Sequence, residues 1–160
     1  MRQENSKPAY GCGCLVLLML CIGVLTAIAF PSFLTSANNA KQSEGKQYVG
    51  SMNRAQQAKF AENSAFSDSI PDLELSIKTG TNGTKWYNYS IRPTKTAVFH
   101  YALAKEEMLK SYVGGVFIVP AKTTSAILCK ADTPGTIEPA QPIYQNGKLI
   151  CGKGTTAVTK

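Results

Sequence analysis

Leu15-Val-Leu-Leu-Met-Leu-Cys-Ile-Gly-Val-Leu-Thr-Ala-Ile-Ala-Phe-Pro-Ser-Phe-Leu34 is a 20-residue apolar run, interrupted only by Gly23, Thr26, Pro31 and Ser32. No charged residue lies between Lys7 and Lys41. Twenty helical residues span about 30 Å, the thickness of a bilayer's hydrocarbon core. In lipid the backbone must satisfy its own hydrogen bonds, so such a run is expected to be helical. A small domain rarely hides a helix that is apolar all round. The run therefore predicts a membrane-spanning helix over 15–34, marked by Leu15, Gly23, Pro31 and Leu34, after a short cytoplasmic segment 1–14. Pro31 is expected to kink it near the membrane surface. The alternative is a cleaved secretory signal: Arg2 and Lys7 are basic, and Ala27-Ile28-Ala29 has the A-x-A pattern, so cleavage there releases a soluble domain. Cys12 and Cys14 border the run and are candidates for acylation.

Outward from the run, residues 35–64 are rich in Ala, Gln, Lys, Asn and Glu and lack Pro. Ala37, Ala40, Tyr48, Met52, Ala55 and Ala58 recur mostly at spacings of three and four, which predicts an amphipathic extension of the same helix to about Glu62. Lys41, Gln42, Lys46, Asn53 and Gln57 are expected on its other faces. Gly45 and Gly50 each cost such a helix about 1 kcal/mol. After Pro71 the period changes to two. Leu73, Leu75 and Ile77 alternate with polar residues. Tyr87, Tyr89 and Ile91 share one face, and Ala97, Phe99, Tyr101 and Leu103 share one face with His100 on the opposite one. Val113–Val119 and Ala126–Cys129 are shorter apolar runs. Turn residues at Thr81-Asn82-Gly83, Arg92-Pro93-Thr94, Pro120 and Thr133-Pro134-Gly135 separate them. The expectation is an α+β fold: a long N-terminal helix, its first half in the membrane, packed on an antiparallel sheet of about four strands in an exported domain 65–160. The tail from Asp132 is expected to be a surface loop.

Of the 160 residues 44% are apolar and 17% charged, which argues against a disordered chain. Cys129 and Cys151 are the pair beyond the apolar run. On the exported side they read as a disulfide, and in a cytosolic domain as two free thiols. The single His100 leaves no histidine cluster for zinc, and no cofactor or metal is implied. Glu106 and Glu107 are sequence neighbours and suggest a solvated turn. Gly147-Lys-Leu-Ile-Cys-Gly-Lys153 has phosphate-loop spacing, but Gly154 stands where Ser or Thr belongs and no helix can follow. No residue set points to an enzyme or to a small-molecule substrate. The net charge is +7, and its Lys and Arg are scattered. A basic and aromatic patch of Lys85, Trp86, Tyr87, Tyr89 and Arg92 is the one nucleic-acid candidate, weighed against aromatic core residues beneath a solvated sheet.

Gly23-Val-Leu-Thr-Ala-Ile-Ala-Phe-Pro-Ser-Phe-Leu34 resembles the membrane helix of type IV pilins and pseudopilins. Ala40-Lys-Gln-Ser-Glu-Gly-Lys-Gln-Tyr-Val-Gly-Ser-Met-Asn-Arg-Ala-Gln-Gln-Ala58, Lys110-Ser-Tyr-Val-Gly-Gly-Val-Phe117 and the paired Cys of the tail are similar to bacterial type IV pilin-like proteins of the G/H group. The resemblance implies a non-enzymatic, single-pass protein of the inner membrane with its C-terminal domain exported to the periplasm or cell surface. Its implied partners are the lipid bilayer and other pilin or secretion-system subunits. DNA is a further possibility, since some pilins contribute to its uptake. The chain departs from the pattern at one place. Counting back from Pro31, the Glu expected near the helix start is replaced by Cys14, and no acid occurs between Glu4 and Glu44. In the resembling family that Glu neutralises a neighbour's new N-terminal amine, and a buried charge without its partner is costly. The departure weighs against ordinary processing and filament assembly.

Overall fold

The computed structural model describes residues 10–75 and 83–158, and within the first helix it leaves out the side chains of 10–12 and 26–32. The chain forms two compact units, one up to Ala37 and one from Asn38. One helix, α1, runs from Tyr10 to Asn63 through both. Pro31 lies among the side chains outside the description, and so does the kink expected of it.

In the second unit α1 turns Gly45, Val49, Met52, Asn53 and Gln56 inward, residues spaced to share one helical face. The expected stripe is shifted: Ala40 and Ala58 are exposed, whereas Asn53, expected outside, is buried. Asn53 is tolerated inside because its hydrogen bonds are made there. Gly45 marks a point of close approach, since a Cβ there would stand 2.9 Å from Cζ of Tyr87 and 3.1 Å from Cδ2 of Tyr112. The helix ends with Ser64 in the left-handed region, φ 54°, its N–H donating to Phe60 O at 2.8 Å. Gln56 then clamps the departing chain, donating to Ser67 O at 2.7 Å and accepting from Ser67 N at 2.9 Å.

The alternation expected from Leu73 is not a strand. Pro71–Leu73 is a 3-10 turn that buries Leu73, and Glu74 follows at φ 52°. Proline's fixed φ favours such a turn start. Ile77 lies outside the described residues. The sheet begins at β1 (Tyr87–Pro93) and continues through β2 (Ala97–Ala104), β3 (Tyr112–Val119) and β4 (Thr123–Ala131) as an antiparallel meander. A fifth strand, β7 (Thr155–Ala157), pairs antiparallel with the end of β4. Between them β5 (Ile143–Gln145) and β6 (Lys148–Ile150) form a separate hairpin.

The tail is therefore not a plain surface loop, and the sheet is covered on both faces. On the α1 face Val49, Met52, Tyr87, Ala102, Ala104 and Tyr112 form one core, with Tyr89, Ile91 and Leu128 against it. On the other face Ala97, Phe99, Tyr101, Val113, Phe117 and Cys129 form a second, packed against Tyr144, Leu149 and Cys151 of the tail. Neighbouring strand residues point to opposite faces, so Gly114 and Gly115 serve one layer each. A Cβ on Gly114 would stand 2.3 Å from Asn53 Oδ1, and one on Gly115 would stand 2.8 Å from Pro142 Cγ. The Gly-Gly step in mid-β3 thus lets helix and tail both approach the sheet.

Candidate functional site

In the first unit every described side chain from Gly13 to Leu25 is exposed. Leu17 is 63% exposed, Leu25 66% and Phe33 73%, and the consecutive exposed positions 13–25 go round the whole circumference. An apolar surface of this extent marks a contact with lipid or with another protein. Among the described residues no helix is long and apolar enough to cross a membrane. At about 1.5 Å per residue, Gly13–Leu25 reaches roughly 20 Å, short of a bilayer core, and residues 26–32 of the apolar run are outside the described side chains. Leu15 and Leu34 are exposed, as is Gly23. Cys14 and Cys21 are exposed free thiols, and Cys12 lies outside the described side chains.

In the second unit the candidate residues separate. Cys129 and Cys151 come together as a disulfide with their Cα atoms 5.8 Å apart, tying β4 to the tail layer. The basic and aromatic patch does not hold together. Tyr87 is buried in the core, its hydroxyl donating to Lys110 O at 3.0 Å, while Arg92 pairs with both oxygens of Glu138 at 2.6 Å. What remains is Trp86, with Lys41 Nζ 4.0 Å and Lys85 Nζ 4.4 Å from its ring centroid. Glu44 accepts from Tyr89 OH at 3.2 Å and from Thr84 Oγ1. Burial foremost, and the Glu44 carboxylate after it, push the Tyr89 phenol up. Glu106 pairs with Lys41 at 2.9 Å and Glu107 accepts from Thr136, so the two carboxylates do not act together. Of the residues of phosphate-loop spacing, Gly147 lies in the turn and Lys148–Ile150 form β6 of the β5–β6 hairpin. Its turn residues Asn146 and Gly147 both have positive φ, 51° and 77°, the signature of a type I′ turn.

His100 and Asn53 form the pairing that sequence reasoning missed. His100 is wholly buried, with Nδ1 2.9 Å from Asn53 Oδ1. Asn53 Nδ2 donates to Ile127 O at 2.9 Å, so its carbonyl is the acceptor and His100 Nδ1 carries the proton. Burial pushes the imidazole down to about 3, so the ring is neutral at ordinary pH. With no exposed surface it has no access to a substrate, and its role is to join helix, β2 and β4. The available signal was its place opposite Gly114 on the face that α1 covers.

A single helix laid on an antiparallel meander, with a disulfide-tied tail on the far face and an apolar helical segment preceding it, defines an α+β protein of pilin-like plan. The family model for type IV pilin-like G and H proteins matches residues 42–152. The chain belongs to that family. No curated protein and no solved structure matches it.

Proposed function

We propose that the protein is a non-enzymatic, single-pass pilin-like component of the bacterial inner membrane, with the unit from Asn38 exported. It serves as a minor or diverged subunit of a type IV pilus or type II secretion machine, or as a membrane-retained pilin-like interaction module. The observation that carries this is the uncovered apolar helical surface of Leu15–Leu25 in a chain of the pilin-like family. Burying such side chains stabilises by about 25 cal/mol per Å² of apolar surface, which lipid and a bundle of like helices both supply. The replacement of the expected Glu by Cys14 supports a retained anchor over a conventional filament core.

Membrane fractionation followed by protease treatment of spheroplasts tests the proposal. The expected result is a membrane-bound chain whose C-terminal unit is digested from outside. A soluble or wholly protected protein overturns it. Mass spectrometry of the intact mature chain separates the rival histories. An uncut N-terminus supports the anchor, a start at Phe30 shows a secreted domain, and added acyl mass locates lipid on Cys12 or Cys14.

A further inference from the structure

Beyond β7 the β4 side of the sheet is incompletely paired among the described residues. β7 covers β4 only along Cys129–Ala131, and the last rung is Val158 N to Leu128 O at 2.8 Å. Toward its N-terminus, Thr123–Ile127 has no strand on that side among the described residues. Ala131 N bonds Ser111 O on the β3 side, and Leu128 O accepts on the other. Backbone groups alternate along a strand, so Thr124 and Ala126 turn theirs to the open side. A groove of about 530 Å³ lies there between β4 and α1. Its walls carry Lys46 and Arg54 and no carboxylate. Lys46 makes no ion pair among the described residues, and Arg54 donates to Ser51 Oγ at 3.2 Å. The edge is lightly held: Gln57 Nε2 is 3.5 Å from Thr124 O, a weak bond at most.

We propose that this groove docks an extended acidic segment of a partner protein, which adds as a strand to Thr123–Ile127 while its carboxylates meet Lys46 and Arg54. An open strand edge is a template for another chain. The spacing selects the sequence. Lys46 and Arg54 are eight residues apart on α1, about 12 Å along its axis. In a strand, positions i and i+4 lie on one face about 13 Å apart. The preferred ligand therefore has two acids four residues apart with β-branched residues between them. Two cations beside a directional backbone edge suit a peptide better than a phosphate chain. The proposal does not depend on where the first unit inserts.

The test is fluorescence anisotropy of the full chain in non-ionic detergent at 50 mM salt. The probe is a labelled seven-residue peptide with Glu at its second and sixth positions and Val or Thr elsewhere. Binding is expected, at least tenfold tighter than for a peptide with Glu at positions two and five. The double variant Lys46→Glu/Arg54→Glu should lose at least tenfold, and a peptide with Lys in place of both Glu should restore binding to it. Hydrogen exchange in the unaltered protein should show the Thr124 and Ala126 amides slowed by the Glu peptide. Absence of binding, indifference to charge reversal, or unchanged exchange at those amides overturns the proposal. So does displacement of the peptide by an equimolar single-stranded oligodeoxynucleotide, which would make the groove a nucleic-acid site.

Discussion

Acid should weaken the second unit through one imidazole. His100 is neutral in the fold down to about pH 3 because burial disfavours its charged form, whereas in the unfolded chain it takes a proton near pH 6.5. Below 6.5 the unfolded state binds the extra proton, so stability rises with pH in this range and falls on acidification. Each pH step between the two values is worth about 1.4 kcal/mol, so the loss from pH 7.5 to pH 4.5 is on the order of 2–3 kcal/mol. That is a large share of a total stability of about 5–15 kcal/mol. The comparison is with His100→Gln, which keeps every other group and whose amide N–H can still donate to Asn53 Oδ1. Urea unfolding of both proteins, followed by the fluorescence of the single Trp86, supplies the measurement. The wild-type stability should fall between pH 7.5 and pH 4.5 by about 2–3 kcal/mol more than that of His100→Gln. Parallel pH profiles, or an NMR titration of His100 centred near 6.5, would refute the reasoning.

Other outcomes follow from the packing. Replacing Cys129 and Cys151 by Ala should cost about 3 kcal/mol, since the bond closes a loop of roughly 23 residues in the unfolded chain; an unchanged urea midpoint would contradict this. Gly45→Ala should destabilise by about 1–3 kcal/mol, because its Cβ meets Tyr87 and Tyr112. Gly50→Ala, where the nearest atom would be Arg54 Nη1 at 3.9 Å, should stabilise by up to about 1 kcal/mol; midpoints moving in the same direction would sink the argument. Leu18→Glu should reduce recovery in the membrane fraction while leaving the Trp86-monitored unfolding midpoint unchanged; full membrane retention would count against the proposed anchor.

The long helix was legible because its composition and lack of Pro favour it from Thr35 to Asn63 whatever it packs against. β1 was legible for a similar reason: a strand with one face inward prints a period of two, and Tyr87, Tyr89 and Ile91 do lie on the helix side. β2 was legible as a strand, but its burial on both faces was not, because its second cover is the tail. The tail was not. Its strands are three residues long, too short for periodicity, although the Asn146-Gly147 turn was a local sign of the hairpin. Leu73 and Leu75 misled because alternation over a few residues does not outweigh the backbone restriction at Pro71.

The sequence by itself determined the elements whose causes are local: an apolar helical run, its polar continuation, the turns and most of the meander. Tertiary structure decided which faces meet. Asn53 looks like a surface residue in sequence, and its burial depends on His100 and Ile127 O, 47 and 74 residues away. Whether Cys129 and Cys151 bond, whether the tail forms a second core, and whether β4 keeps an open edge all depend on distant segments meeting. Helical propensity and strand alternation act between near neighbours, whereas burial, hydrogen-bond satisfaction and charge placement depend on what folds against what.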